Sequence, residues 1–345
     1  MALTFNHQTN DISNATGTVS FNGVAVGGDN TPANSGSRGI FGGMSRTTTL
    51  EYITISTTGN VTDFGDLTKA KANMASCSNG TRGVWAGGFS NDFHPLTGDG
   101  TAYGDEEIDY ITFASTGNAS DFGDLTLGRY LFAGVSDGSR GCFGGGQVHP
   151  AQTGNVGGSG NSLAGTPIAR DEIDYVTIDT TGNATDFGDL VNDEPYGESA
   201  CADFTRGVFK VINGYGSLES TYNYITIQTT GNATLFGDVF EDKGQAAGCA
   251  DSTRGVFATN YFSNTIEYIT IQTTGNGTDF GNLTQSRGQG AAVANDTRGV
   301  FAGGNAEGSS TNVMDYVTIQ TTGNATDFGD LSATSNSGPS GSSGT

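Results

Sequence analysis

Apolar residues come in short bursts along this chain, separated by runs of Gly, Asn, Ser, Thr and Asp. No stretch repeats them at the 3.6-residue helical spacing, and the bursts are rich in β-branched and aromatic residues, so the chain reads as all-β. The bursts recur in a fixed order. A phrase Arg-Gly-(Val/Ile/Cys)-(Phe/Trp) begins at Arg38, Arg82, Arg140, Arg206, Arg254 and Arg298. A second phrase of the type Ile-Glu-Tyr-Ile-Thr-Ile is anchored by Tyr52, Tyr110, Tyr175, Tyr224, Tyr268 and Tyr316, which lie 44 to 65 residues apart. It runs through a Thr-Gly-Asn turn into Phe-Gly, at Phe64, Phe122, Phe187, Phe236, Phe280 and Phe328. With the small-residue stretch before each Arg, every unit predicts four strands. Six copies of one small unit point to a radial or stacked array.

Side chains alternate between the faces of a strand. In the third strand of the second unit, Ile108, Tyr110 and Thr112 share one face, and Asp109, Ile111 and Phe113 the other. Both faces carry large apolar groups, so both are covered, unlike a sandwich strand with one wet face. Sheets stacked as propeller blades meet that demand. The expectation is a six-bladed β-propeller of four-stranded antiparallel blades over residues 31–331, preceded by a docking arm with strand-like segments at 1–30. Residues 332–345 are then a Ser/Gly-rich tail or a closing strand. Residues 31–37 align with the first strand of unit one. Residues 334–345 sit where a first strand would follow unit six, and Pro339 with the Ser/Gly composition favours a tail. The Gly of the second strand suits close backbone approach near a narrow axis.

The double glycines Gly42-Gly43, Gly87-Gly88, Gly144-Gly145 and Gly303-Gly304, the later Tyr and the aromatic of the last strand resemble Kelch-type β-propeller repeats over about residues 31–331. Phe stands where Kelch units carry Trp, and the double glycine is replaced by Lys210-Val211 and Ala258-Thr259. The wording Thr297-Arg298-Gly299-Val300-Phe301-Ala302-Gly303-Gly304, followed by Tyr316 to Leu331, is similar to propeller repeats in virion and tail-fibre proteins of marine bacteriophages, cyanophages above all. The resemblance implies a non-enzymatic virion protein, made in the host cytoplasm and carried in multiple copies on the tail or capsid surface of a symmetric particle. Other virion proteins and a host-surface glycan or receptor would be its partners. A free lectin and a propeller glycosidase are the alternatives. Carboxylates are too abundant to discriminate, and only eight of the 14 basic residues lie outside the repeat series to build an axial arginine cluster.

Charge narrows the partners. With 36 acidic residues and a net charge of −22, the chain is unsuited to nucleic acid, whose binding rests on neutralising phosphates, and to anionic membranes. The charge serves solubility. The start, Met1 to His7, has no basic or apolar signal region and no membrane span is visible, so the chain is expected to fold where it is made.

Candidate chemistry is sparse, and no catalytic residue, cofactor or metal is expected. Cys77, Cys201 and Cys249 occupy a slot filled elsewhere by Ala33, Val135 and Val293, and Cys142 replaces the Val of a second strand. Buried free thiols follow. The repeat arginines are expected to clasp Asp63, Asp121, Asp186, Asp279 and Asp327 within their own units, with Arg206 the exception because Leu235 replaces its Asp. The Thr-Gly-Asn segment is read as a turn that uses positive φ. The glycine-rich run at 154–160 lacks the strand and helix of a phosphate loop. His7, His94 and His149 lack local metal spacing, and Asp99, Asp105, Glu106 and Glu107 form a solvated acidic loop rather than a weak calcium site. What varies between units is the connection from second to third strand: Met44 to Thr49 in unit one, but Phe89–Glu107 and Gln147–Glu172 in units two and three. Long loops on a rigid scaffold carry recognition. Phe93, His94, Tyr103, Gln147 and His149 are therefore the candidate binding residues.

Overall fold

The computed structural model describes residues 36–90, 103–148, 168–191, 199–212, 220–242, 244, 246–258, 263–335 and 338–344, with four short strands between residues 4 and 26. Residues 1–31 form a compact unit of their own, in which Thr4–Asn6 pairs with Asp11–Ser13 and Val19–Phe21 with Val24–Val26.

Residues 32–345 form a six-bladed propeller of four-stranded antiparallel blades. Blade 2 is typical: Ala75–Ser78, Arg82–Ala86, Glu107–Thr112 and Ser120–Asp124 pair in that order. Blades 3 to 6 start at Ala133–Ser136, Ser199–Ala202, Ala247–Ala250 and Ala291–Ala294. These first strands neighbour one another in chain order and line the axis. Their small side chains let six backbones converge.

Blade 1 is assembled from both ends of the unit. Its second, third and fourth strands are Arg38–Gly42, Thr49–Thr54 and Thr62–Asp66, and its first is the C-terminal Ser340–Gly344, paired with Arg38–Gly42. The first-strand slot expected for residues 31–37 is therefore filled from the other end, and the terminal segment is a strand rather than a tail; residues 31–35 lie outside the described residues. Serine hydroxyls clamp the closing strand to blade 2: Ser76 Oγ donates to the Gly341 carbonyl and Ser78 Oγ to that of Ser343, both at 2.7 Å. The buried backbone of a strand short of apolar anchors is held by hydrogen bonds instead.

Several of the repeated residues meet the neighbouring blade. In blades 1 and 3 to 6 the second-strand Gly makes room for the Cys or Val of the preceding first strand: a Cβ on Gly141 would stand 2.5 Å from Cys77 Sγ, and on Gly207 or Gly299 2.6 Å from Val135 or Cys249. The close approach is thus to a side chain one blade away and not to the axis. All four cysteines are buried free thiols, and burial pushes each thiol up. Repeat Tyr and Phe pack edge-to-face within each blade, ring centroids 6.0–6.1 Å apart.

The arginine–aspartate clasp does not form. Among the described residues no repeat Arg is salt-bridged to its unit's Asp, and Asp63 and its equivalents are exposed on the outer strands. Each guanidinium instead lies over its own blade's Tyr, 4.1–4.6 Å from the ring centroid. It donates to a carbonyl of the next blade: Arg82 to Ile178, Arg140 to Ile227, Arg206 to Ile271, Arg254 to Ile319 and Arg298 to Ile55, at 2.8–3.0 Å, and Arg38 to Phe113. Arg206 behaves like the rest because Leu235 was never part of the contact. The Thr-Gly-Asn segment is also more than a turn. Its Asn is not at positive φ; it docks on the outer strand of the preceding blade. Gly117 and Ala119 donate to the Phe64 and Asp66 carbonyls (2.8 and 2.7 Å), and Asn118 Oδ1 accepts the Asp66 N–H at 3.2 Å. The pattern recurs around the ring and ends with Gly59, Val61 and Asn60 on Phe328 and Asp330. A Cβ on Gly65 would collide with the Gly117 carbonyl, so Phe-Gly is required by this seam. Outer edges that could template aggregation are thereby partly covered.

Candidate functional site: the insertion-bearing rim

The connections from second to third strand and from one blade to the next emerge at the same end of the ring, and here they pair. In blade 2, Phe89–Ser90 pairs with Lys71–Ala72 on one side and Tyr103–Gly104 on the other. In blade 3, Gln147–Val148 pairs with Ile168–Ala169 and bridges Tyr130. The long insertions thus leave and return through short β-ladders that extend the blades. The opposite rim repeats one hairpin and one Arg.

Beneath the elaborated rim runs a ring of buried polar residues absent from the sequence expectations. The residue before each repeat Tyr is Glu51, Asp109, Asp174, Asn223, Glu267 or Asp315, all buried. Each accepts from the segment leaving the previous blade's outer strand. Thr68, Thr126 and Thr284 hydroxyls donate to Asp109, Asp174 and Asp315 at 2.5–2.6 Å. Val191 and Phe240 N–H groups donate to Asn223 (2.9 Å) and Glu267 (2.7 Å), and Ser332 donates to Glu51. Four seams add a buried cation: Lys71 to Asp109 (3.4 Å), Arg129 to Asp174 (3.0 Å), Arg287 to Asp315 (2.8 Å) and Lys210 to Glu267. Burial lowers the pKa of Lys210 and Arg287 and raises that of Asp109, against the pull of their partners. An acid recurring inside an apolar strand was the signal available in the sequence.

The acidic segment Asp105–Glu107 is not a free solvated loop: Lys69 pairs with Glu107 (2.8 Å) and Asp105 (3.5 Å). Burial pushes the Glu107 carboxyl up, but hydrogen bonds from Lys69 and Thr68 and the Lys71 charge outweigh it and hold the group at about 2. Asp99 lies outside the described residues, and among those described no three His, Cys, Asp or Glu gather as a metal site.

Of the candidate binding residues, Phe93, His94 and His149 lie outside the described residues. Tyr103 stands in the ladder that carries the blade 2 insertion. Gln147 is 1% exposed, because its backbone pairs with both Tyr130 and Ala169; it supports the rim from below and is not on its surface. At the axis, the same rim opens on a cavity of about 110 Å³ lined by Met74, Phe132, Ser199, Ala246, Gly290 and Pro339 among others. That holds a few waters and is well below a ligand pocket of about 300–1,000 Å³.

No family model and no curated protein sequence matches the chain. Among solved structures it is similar to the one titled "Structure of YjhT", a β-propeller, with a TM-score of 0.64 and 12% identity over 86% of this chain and 96% of that one. At that identity the likeness speaks for the fold.

Proposed function

We propose that this chain is a non-enzymatic component of a bacteriophage virion, on the tail or capsid surface, that binds through the rim bearing the blade 2 and blade 3 insertions. Its target is a host-surface glycan or receptor, or a neighbouring virion subunit. The observation that carries this reading is the inequality of the two rims. One presents the same docked hairpin six times, whereas the other is extended by ladders in blades 2 and 3 over a rigid ion-paired base. Selective recognition requires such a surface, varied at its tips and fixed at its roots. The phage assignment rests on the wording of the repeats. A glycosidase would need an acid and a second carboxylate flanking the scissile bond, and the small side chains and backbone that line the axial mouth among the described residues include neither.

The test replaces residues 91–102 with a short Gly-Ser turn and compares binding of wild type and variant to glycan arrays and whole host cells. Lost binding at an unchanged melting temperature supports recognition through this rim. Equal binding by both refutes it, and hydrolysis of a polysaccharide panel would move the protein to the enzyme class.

A further inference from the structure

The six buried positions that precede the repeat tyrosines balance their charge in three ways. Four carboxylates have a Lys or Arg beside them, and blade 4 carries the neutral Asn223. Glu51 of blade 1 has neither. It is 3% exposed, and among the described residues its partners are the N–H (3.3 Å) and hydroxyl of Ser332. The cause is one position. Four residues after Leu67, Leu125 and Leu283 come Lys71, Arg129 and Arg287; four after Leu331 comes Ser335. The backbone confirms the equivalence: Arg129 N–H bonds the Asp105 carbonyl and Arg287 N–H the Ser263 carbonyl, and Ser335 pairs with Thr311, the corresponding place in blade 6. In blades 3 and 6 the guanidinium bridges the carboxylate and the carbonyl of the Phe opposite it, Phe143 at 3.0 Å and Phe301 at 3.1 Å. The residue opposite Glu51 is Phe41.

A buried carboxylate without countercharge is strongly unfavourable. We propose that the seam between blades 6 and 1 takes up a monovalent inorganic cation, sodium or potassium, on the Glu51 carboxylate, with the Ser332 hydroxyl and Phe41 carbonyl as neutral oxygen donors. A single carboxylate suits a single charge; calcium sites gather more oxygen ligands and more charge. The ion does for this seam what Arg129 and Arg287 do for theirs, and ties the last blade to the first.

The test is thermal unfolding of the full chain in sodium, potassium or tetramethylammonium chloride at equal ionic strength, the last cation being too large to enter. Sodium or potassium should raise the wild-type midpoint by about 2 °C or more over tetramethylammonium, and Glu51→Gln should abolish the difference. Ser335→Lys, which restores an internal ammonium, should become equally insensitive. Sodium-23 line broadening by wild type but not by Glu51→Gln is the direct readout, and it decides the matter if Ser335→Lys fails to fold. A cation response of equal size in wild type and Glu51→Gln would mean that only surface charge is being screened. No response in wild type would mean that no cation is held at Glu51. Either result overturns the site.

Discussion

Replacing Arg287 by Met should show how much the buried ion pairs matter. Arg287 and Asp315 are both fully buried, 2.8 Å apart, and Arg287 also donates to the Phe301 carbonyl. Met fills much of the same stem volume but leaves Asp315 buried with, among the described residues, the Thr284 hydroxyl and N–H as its donors. Breaking one side of such a pair costs about 3–5 kcal/mol, most of it the stranded charge. Blade 4 indicates the remedy: there Asn223 fills the acid's place, satisfied by Val191 N–H. The double variant Arg287→Met/Asp315→Asn removes the charge with the cation and should recover more than half of the loss. Equilibrium urea unfolding, followed by circular dichroism and by the single, fully buried Trp85, measures both. Coincidence of the two probes is required before a free energy is extracted. A cost below about 1 kcal/mol for Arg287→Met, or a double variant no more stable than the single, would refute the reasoning that stranded charge dominates these seams.

Three further outcomes are expected. Deleting residues 340–345 empties the first strand of blade 1 and removes the Ser76 and Ser78 clamps; at roughly 1 kcal/mol per hydrogen bond the loss is several kcal/mol. Hydrogen exchange at Ala75–Ser78 and Ala291–Ala294 should then accelerate, and unchanged protection would contradict closure by this strand. Glu107, held at about 2 against an ordinary 4.5, contributes stability that is fully present above 4.5 and is lost as pH falls through about 2. The stability gap between wild type and Lys69→Met should therefore narrow across that window, and a gap independent of pH would speak against the pair. The four buried thiols should stay silent to a thiol-reactive disulfide reagent until the protein is unfolded, and a native-state reaction with Cys77 or Cys249 would show that the first strands open readily.

Much of this architecture was written in the chain itself. Short bursts of β-branched and aromatic residues, interrupted by turn formers and repeated six times, dictate four strands per unit and apolar cover on both faces, because strand formation and alternation are local properties. The insertions of blades 2 and 3 were equally legible as departures from the repeat. What tertiary structure alone decided is every contact between units. Arg206 and its five counterparts were legible as repeats, but their acceptors lie one blade on, at Ile271 and its equivalents, a direction that only the ring defines. Gln147 belongs to a long connection in sequence yet is buried, because Tyr130 of the preceding connection pairs with it. The closing strand shows the same division: composition described Ser340–Gly344 as flexible, and the unfilled edge of Arg38–Gly42 made it a strand, since buried backbone groups must find partners wherever the chain can supply them.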